Sequence, residues 1–478
     1  MRNSFCRVPV PISRSRADQR IAVLADSDTR WKWGALTARR LAPSDAPPGH
    51  RITGYLLRGR ATPTARQLGE AGVGADAAPA EVTCAEFLAE LGRERYDVVV
   101  LALVGGAVQA VLHGARALWP EPAARPVFVT GYVGVVYEKL ADGLLLRHGA
   151  DLVLANSRHD AERFRAVYAG AGADPGAVTE TALPFLDGAP YEPAGNRTHR
   201  VVFAVQPSVP EARADRAYLL GRAAGHARLH PDREVLVKLR SRPGEHTTHL
   251  EEHPYQRLAE RLPGGLPPNL RLVYGHMGEV LDTTDLLVTV SSTAALEALH
   301  RGVPTAVLTD LGIRESLGNQ HFLGSGCLAS WDQLDAGLLP QANPTWLATH
   351  GVPPPRRPPS AAPTAAHRAL ADRAPADAGP VDPYAAARER VARLLGEELL
   401  PPVAPYYTLE TAPGYLPGIL ARQHLAPDGT PLPGALPRGG RESAARRWVR
   451  GRLREAARGA YRHGVQRVAP AIRRLGEL

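Results

Sequence analysis

Short apolar runs alternate with helical patterns through the first part of the chain. The runs that predict strands are Ile21–Ala25, Asp97–Leu103, Val127–Thr130 and Asp151–Ala155. The patterns that predict helices between them are Thr83–Arg95, Gly105–Leu118 and Arg158–Ala169. Strands that alternate with helices are typical of a parallel sheet covered by helices, so this part of the chain predicts an α/β domain.

A second alternating series follows. Its predicted strands are Val201–Val205, Glu234–Leu239, Leu270–Tyr274, Asp285–Val290 and Thr305–Leu308, and its predicted helices are Glu211–Leu229 and Pro254–Leu262. Between the two series, Gly188–Thr198 is rich in Pro, Gly and polar residues, as inter-domain linkers are. The pattern therefore predicts two Rossmann-like domains that face each other across a cleft, with the boundary near residue 195.

The length of 478 residues exceeds what one hydrophobic core usually serves. We predict six segments, which are a basic extension at 1–19, a first Rossmann-like domain at 20–195, a second Rossmann-like domain at 196–340, a flexible Pro/Ala-rich insertion at 341–383, a helical segment that completes the core at 384–425, and a linker with a basic tail at 426–478.

The tail carries a concentrated positive charge. Arg450, Arg454, Arg458 and Arg462 recur every fourth residue, whereas Trp448, Leu453 and Tyr461 occupy another face of the same predicted helix. Such a basic amphipathic helix binds an anionic membrane surface, or else packs on a domain. Both interpretations of residues 441–478 stay open. The sequence offers no aromatic-rich basic platform and no known DNA- or RNA-binding motif, so nucleic acid is not an expected partner.

Composition points to the cytoplasm. The three cysteines, Cys6, Cys84 and Cys327, are far apart and match neither a disulfide framework nor a metal site. Residues 1–20 lack the apolar run of a signal peptide, and no apolar stretch is long enough to span a bilayer. We expect a cytoplasmic protein, with the net charge of +9 placed partly on a tail that allows peripheral contact with the inner membrane face.

The most informative motif runs from Asp285 to Leu308. A buried strand ends at Val290, the hydroxyl residues Ser291, Ser292 and Thr293 follow, and a helical stretch then runs to Gly302. The start of a helix offers backbone N–H groups and partial positive charge, so this turn is a candidate phosphate cradle. Glu297, one turn later, is a candidate for a ribose hydroxyl. The alternative is that Ser291 only caps the helix and Glu297 is solvated.

Other candidates for the nucleotide follow neighbouring strands. Lys238 and Arg240 end one strand, and two cations there are unusual in a parallel sheet unless an anion lies nearby. Gln206 and His276 follow two further strands of the second domain. Ligands of such sheets lie outside the carboxyl ends of the strands, so these residues are predicted to meet. An edge strand with solvated cations is the alternative.

The first domain offers two carboxylates and two glycine turns. Asp26 and Asp28 follow the first strand, where a carboxylate beside a cleft can act as a general base, although both also suit a helix-capping turn. Two later turns also contain glycine: one has Gly105 and Gly106, and the other has Gly131 and Tyr132. We interpret these turns as the acceptor-side wall, the part of the cleft where a second substrate would bind. Tight packing alone also explains paired glycines.

These residues carry a family resemblance. Ser291–Leu299 with Gly302–Pro304, together with Ala150–Ser157 before a helix, resembles the GT-B glycosyltransferases. Within that class the chain is similar to bacterial sialyltransferases, polysialyltransferases and capsule Kdo transferases, and to an actinobacterial family of glycosyltransferases with undefined substrates. The resemblance implies that Asp26 or Asp28 is the acidic motif and that Ser291, Ser292 and Thr293 bind phosphate. Those transferases also carry a His-Pro motif, which this chain does not match cleanly. Lys238–Ser241 occupies the expected place of that motif, and His253–Pro254 comes later in the chain.

The resemblance implies transfer of a sugar from a nucleotide-activated donor to a cell-surface or exopolysaccharide acceptor, either a glycan or a lipid-linked molecule. It implies no metal and no cofactor, because Lys238, Arg240 and the helix start at Ser292 would stabilise the departing phosphate. A first-domain carboxylate would take the acceptor proton. Two alternatives stay open: a nucleotide-sugar 2-epimerase of the same fold, and a non-catalytic protein that binds a membrane or polymer through its tail.

Overall fold

The protein is described here from a computed structural model that covers residues 19–42, 51–59, 61–76, 78–135, 139–242, 245, 251–354 and 382–436. The predicted basic helix at 441–478 lies outside the described residues, as do most of the N-terminal extension and residues 355–381 of the predicted insertion.

The first domain is built on a seven-stranded parallel sheet with the strand order β3-β2-β1-β4-β5-β6-β7. Its strands are β1 Arg20–Ala25, β2 Arg51–Leu57, β3 Ala80–Val82, β4 Val98–Ala102, β5 Val127–Gly131, β6 Leu152–Ala155 and β7 Val178–Glu180. Its helices are α1 Asp28–Leu41, α2 Ala65–Ala71, α3 Cys84–Arg93, α4 Gly105–Leu118, α5 Leu140–Leu145 and α6 Arg158–Gly170.

The second domain has a six-stranded parallel sheet with the order β10-β9-β8-β11-β12-β13. Its strands are β8 Arg200–Ala204, β9 Glu234–Lys238, β10 Leu270–Val273, β11 Leu286–Thr289, β12 Thr305–Leu308 and β13 Leu328–Ala329. Its helices are α7 Arg213–Leu229, α8 Tyr255–Ala259, α9 Met277–Leu281, α10 Ala294–Arg301, α11 Trp331–Asp335 and α12 Pro344–Thr349.

The central strands are buried along their whole length. All residues of β4, β5, β6 and β11 are buried, as expected when helices cover both faces of a parallel sheet. One cluster of buried apolar residues contains members of both sheets, for example Val23 and Val202, so the two domains share part of their hydrophobic core. The predicted α/β fold of two Rossmann-like domains facing across a cleft is confirmed.

Strand β2 and the short edge strands β3, β7 and β13 are not among the strands that the apolar pattern predicts. In β2 the pattern is interrupted by Gly54, and the structure gives the reason for that glycine: a Cβ there would lie 2.5 Å from the Trp31 ring. Glycine weakens a strand pattern when only the sequence is considered. Here the missing side chain makes room for an indole from α1.

The last described segment returns to the first domain. It contains α13 Ala385–Gly396 and α14 Leu416–Arg422. The Tyr384 hydroxyl donates to the Ala182 carbonyl at 3.0 Å, and the Arg125 Nε donates to the Pro401 carbonyl at 2.8 Å. In the segment predicted as a flexible insertion, residues 341–354 instead contain α12, which Asn343 caps and which buries Trp346. None of the helices in the described ranges is long and apolar enough to cross a membrane.

Candidate functional site

A cavity of about 190 Å³ lies between the two domains. Its walls come from the carboxyl-end turns of both sheets and from α2. The lining residues discussed below are Asp28, Thr29, Lys32, Gln67, Glu70, Lys238, Arg240, His276, Ser292, Thr293 and Glu297. The cavity thus collects residues that are more than two hundred positions apart in the chain.

The parallel topology explains why these residues meet. Strands β8, β9 and β11 are neighbours in the second sheet, so their carboxyl ends lie side by side. Lys238 ends β9, and the turn after β11 contains Ser292 and Thr293. In the first domain, Asp28 begins α1 directly after β1. Each chemical group is therefore positioned by the end of a buried strand.

Lys238 is a buried cation in this cavity, with a relative exposure of 8%. Its Nζ donates a hydrogen bond of 2.7 Å to the Leu239 carbonyl, and the described residues form no ion pair with it. The pKa of Lys238 is lowered to about 8, mainly by burial; Glu70 opposes this shift and nearby Arg240 adds to it. A buried ammonium without a carboxylate partner is costly, so this position favours an anionic ligand.

Arg240 is paired across the cleft. Its Nη2 lies 2.5 Å from Asp28 Oδ1 and also contacts the Thr29 hydroxyl. Burial raises the pKa of Asp28, but the charge and hydrogen bond of Arg240 outweigh burial and hold that pKa below its ordinary value. In the structure, Asp28 is therefore an ionised carboxylate that forms an ion pair with Arg240 of the opposite domain.

A second ion pair crosses the same cleft. Lys32, one helical turn after Asp28, has its Nζ 3.3 Å from Glu297 Oε2 on α10. The Lys32 ammonium also lies 4.8 Å from the centre of the Phe185 ring. Glu297 lines the cavity and is buried, so the structure places it against a cation instead of in solvent.

The three hydroxyl residues of the turn have different surroundings. Ser291 is buried, its hydroxyl donates to the Leu317 carbonyl at 2.5 Å, and it is not among the residues that line the cavity. Ser292 and Thr293 do line it, at the start of α10. The Ser292 hydroxyl accepts from the Ala294 N–H at 3.2 Å, which satisfies one backbone donor at the start of α10. Of the three residues predicted to bind phosphate, Ser292 and Thr293 line the cavity, whereas Ser291 stabilises the turn through its bond to Leu317.

Gln206 and His276 also differ in position. The Gln206 side-chain oxygen accepts from the Ser291 N–H at 3.0 Å, which fixes the turn without lining the cavity. His276 does line the cavity, at the start of α9. It also touches the first domain, since a Cβ on Gly72 would lie 3.1 Å from its Nε2. Burial is the main cause that lowers the pKa of His276, which favours the neutral ring.

Asp26 has a different environment from Asp28. Its Oδ1 accepts from Arg30 Nη1 at 2.9 Å and its Oδ2 accepts from the Val104 N–H, also at 2.9 Å. These contacts tie the end of β1 to the turn after β4. Asp26 is not among the lining residues, so Asp28 is the predicted carboxylate that faces the cavity.

The predicted acceptor-side glycines are closely packed. A Cβ on Gly105 would lie 2.9 Å from Leu146 Cδ1, and one on Gly131 would lie 2.9 Å from both the Leu154 carbonyl and Trp33. Gly106 is less crowded, with Ile419 at 3.8 Å.

The Arg147 Cζ lies 4.0 Å from the centre of the Tyr132 ring. Burial raises the pKa of the Tyr132 phenol. None of these residues lines the cavity. The same loop nevertheless approaches the second domain at Gly134, where a Cβ would lie 3.3 Å from Thr293 Cγ2.

The sequence reasoning missed the contribution of α1 beyond its first residue and of α2. Thr29 and Lys32 line the cavity, as do Gln67 and Glu70 from α2. A signal for Lys32 existed, because residues four apart on a helix lie on the same face and Lys32 is four positions after Asp28. Thr64 and Gln67 form a capping box, which is also visible in the sequence as a helix start.

One group in the described ranges has metal-ligand spacing, and it lies elsewhere. His226, His230 and Asp335 bring ligand atoms within 4.8 Å of one another. The His226 Nδ1 is hydrogen-bonded to Asp335 at 2.7 Å, and Arg222 donates to the same carboxylate at 3.0 Å. The Asp335 carboxylate therefore already has two hydrogen-bond partners in the protein, the Arg222 guanidinium and the His226 imidazole. None of its members lines the inter-domain cavity.

Two Rossmann-like sheets with a charged cavity between their strand ends define a two-domain α/β protein with its candidate site at the domain interface. A family model described as "Putative glycosyltransferase (DUF6716)" matches residues 21–369, which is more than half of the chain. The chain belongs to this family. Comparison with curated proteins gave no significant match.

Several solved structures are similar in backbone arrangement. The HepE protein of Anabaena in complex with UDP-glucose is 14% identical, with 79% of this chain and 99% of that chain covered and a TM-score of 0.45. UDP-GlcNAc 2-epimerase from Neisseria meningitidis, bound to UDP-GlcNAc, is 10% identical, with 70% and 95% covered and a TM-score of 0.45. A structure described as the glycotransferase of kitacinnamycin is 16% identical, with 67% and 89% covered and a TM-score of 0.37.

Proposed function

We propose that this member of the family transfers a sugar from a nucleotide-activated donor to a glycan or lipid-linked acceptor, without using a metal ion. The observation that carries the proposal is Lys238, a buried ammonium with no ion pair in the described residues, in a cavity that Asp28 faces from the opposite domain. Such a cation stabilises a phosphate that gains charge as the sugar leaves.

The donor phosphates bind between Lys238 and the start of α10 at Ser292 and Thr293. The helix contributes the partial positive charge of its N-terminus, and the ammonium contributes a full charge. Because burial raises the strength of such contacts, a divalent cation is not needed to neutralise the leaving group. Glu297 lies one turn farther along α10 and accepts a hydrogen bond from a ribose hydroxyl once it is released from Lys32.

Asp28 is the general base of this proposal. The acceptor hydroxyl oxygen forms a bond to the anomeric carbon, and the bond from that carbon to the phosphate oxygen breaks. The hydroxyl proton passes to the Asp28 carboxylate, and the bonding electron pair leaves with the nucleotide phosphate. Asp26 holds the turn that carries Asp28, through its bonds to Arg30 and Val104.

The acceptor binds on the first-domain side, next to the loop that contains Gly131, Tyr132 and Gly134. The approach of Gly134 to Thr293 supports this assignment, because it brings the loop to the edge of the donor site. A cell-surface or exopolysaccharide acceptor attached to lipid would bring the protein to the inner membrane face, where the basic residues 441–478 would meet anionic lipid.

Thermal shift with the full chain tests the donor assignment first. CMP, UDP, GDP and CDP, each with and without a sugar, are compared, since a ligand that binds only the native state raises its melting temperature. Lys238→Gln is expected to remove the shift, whereas Lys139→Gln, the same change at an exposed lysine outside the cavity, is expected to retain it. A shift that survives in Lys238→Gln would contradict the proposed site.

Product analysis then tests the reaction. The stabilising nucleotide sugar is incubated with the protein alone and with glycan or lipid-linked acceptors. We expect release of the nucleotide to depend on the acceptor. Conversion of the donor to a new nucleotide sugar without acceptor would instead favour the epimerase.

A further inference from the structure

We propose that the donor phosphates take Arg240 away from Asp28, so that donor binding itself releases the base carboxylate. This inference rests on the proposed function and adds the order of events at the same site. It also specifies the donor as a nucleoside diphosphate sugar, because a second phosphate is what recruits Arg240.

The charges of the cavity support the exchange. Three carboxylates line it, and each has a cationic partner: Asp28 pairs with Arg240, Glu297 with Lys32, and Glu70 with Arg66. Among the described lining residues, Lys238 is the cation without such a partner. One ammonium balances one phosphate charge, so a diphosphate must draw a second cation from an existing pair.

Arg240 is the cation best placed to move. It follows Lys238 by two residues at the end of β9, so both cations belong to the same turn. The contacts of its guanidinium in the described residues are made through Nη2, to Asp28 and Thr29. A guanidinium has five N–H donors in a planar fork and binds phosphate through two of them at once. A small rotation of this side chain exchanges one oxygen partner for another.

The exchange changes the chemistry of Asp28. With Arg240 bound, one oxygen of the carboxylate is occupied, and the pKa of Asp28 lies below its ordinary value because the cation outweighs burial. After Arg240 leaves, burial remains and a nearby phosphate adds negative charge, and both raise the pKa of a carboxylate. Asp28 is therefore a weak base in the empty cleft and a stronger base when the donor is present.

Binding of inorganic pyrophosphate and of UDP to the full chain, measured by calorimetry, tests the exchange. Because Asp28 competes with the ligand for Arg240, Asp28→Asn should bind pyrophosphate more tightly than the natural protein, by about fivefold or more as is typical of coupled sites. Glu70→Gln is the matched control, since it removes another carboxylate of the cavity without touching Arg240.

A double-mutant cycle separates exchange from simple charge removal. In an Arg240→Gln background, Asp28→Asn should change pyrophosphate affinity no more than Glu70→Gln does, because no guanidinium remains to be released. An equal gain with and without Arg240 would overturn the exchange. An unchanged or weaker affinity in Asp28→Asn would also overturn it.

The pH dependence of turnover gives a measurement that does not depend on the Asp28 variant. The acid limb of kcat/KM for the donor reports the pKa of the base in the free enzyme, and the acid limb of kcat reports the pKa of the base in the donor complex. We expect the kcat limb at higher pH than the kcat/KM limb in the natural protein, and a smaller separation in Arg240→Gln, where the donor phosphate still raises the pKa of Asp28 but no guanidinium is displaced from it. Coincident limbs in the natural protein would overturn the exchange.

These outcomes are distinguishable from failure of the proposed function. If nucleotides bind and turnover occurs but the cycle shows no coupling, only the exchange is wrong. If neither pyrophosphate nor any nucleotide binds the natural protein or its Asp28→Asn variant, both proposals are wrong.

Discussion

Lys32 Nζ lies 3.3 Å from Glu297 Oε2 and joins α1 of the first domain to α10 of the second. Both side chains are largely buried, with relative exposures of 16% and 8%. The contact is therefore better shielded from solvent than a surface ion pair. In the structure this contact holds Glu297, the carboxylate proposed to bind ribose, against the opposite domain.

Glu297→Gln should affect two diphosphate ligands differently. Both pyrophosphate and UDP gain from the loss of a nearby negative charge and from a freed Lys32. UDP alone loses a charged hydrogen bond to its ribose, which costs about 1.5–3 kcal/mol, so its affinity relative to that of pyrophosphate should fall by this amount. Calorimetry with both ligands checks this expectation. An equal change in affinity for both ligands would show that Glu297 does not contact the ribose.

Donor affinity should fall as pH rises through about 8, the value to which burial lowers the pKa of Lys238. Below that pH the ammonium is charged and attracts phosphate; above it the neutral amine does not. A nucleotide sugar is a suitable probe, since its bridging phosphates do not titrate in this range. In Lys238→Arg the fall should be absent from this range, because a guanidinium stays charged. An unchanged profile in that variant would remove Lys238 from the phosphate site.

Lys238→Met should stabilise the ligand-free protein while it abolishes nucleotide binding. A lysine whose folded-state pKa is lowered to about 8 from 10.5 binds fewer protons in the folded state than in the unfolded state between those pH values. Its unfavourable effect is thus fully present below pH 8 and disappears as pH rises toward 10.5. At pH 7 we expect a gain of about 0.5–2 kcal/mol in the free energy of unfolding, measured in urea.

The same variant should lose this advantage at high pH. Its gain in stability over the natural protein should shrink as pH rises above 8, because the natural protein no longer carries the buried charge there. A variant that is less stable than the natural protein at pH 7 would mean that Lys238 serves the fold and not an anion.

Asp26→Asn and Asp28→Asn should separate structure from chemistry. Asp26 accepts bonds from Arg30 and from the Val104 N–H, so its replacement should lower the free energy of unfolding by about 1–3 kcal/mol. Asp28→Asn should abolish donor consumption while nucleotide binding is retained. Acceptor-dependent nucleotide release and thermal unfolding of both variants give the comparison. Full turnover in Asp28→Asn would exclude this residue as the base.

Deletion of residues 441–478 should leave nucleotide affinity unchanged and reduce sedimentation with anionic vesicles. The tail supplies regularly spaced arginines, and each basic residue near an anionic surface contributes about 1 kcal/mol. A full-length variant with Arg450, Arg454, Arg458 and Arg462 changed to Gln is the matched control for charge. Equal sedimentation of all three proteins would favour a tail that packs on a domain.

Local patterns predicted most of the second sheet and the centre of the first. Helix α4 and strand β12 have the bounds that the sequence predicts, because uninterrupted apolar runs and clear stop residues mark them. Strand β2 was not predicted, since Gly54 interrupts its pattern for a reason that lies in α1. The candidate site shows the same difference. Lys238 and Ser292 are visible in the sequence as polar residues at strand ends, and Lys32 has a signal only in its helical spacing from Asp28, whereas no local pattern marks Glu70 as a cavity residue.

The sequence by itself determined the alternating α/β architecture, the linker between the two series and the chemical groups that end the strands. These properties depend on the periodicity of burial, which is local to each segment. Only the tertiary structure decided that Asp28 and not Asp26 faces the cavity, that Ser291 is turned away from it, and that Arg240 and Lys32 are paired across the cleft. The reason is that these contacts depend on how the two sheets bury a shared core, and that orientation is set by residues far apart in the chain.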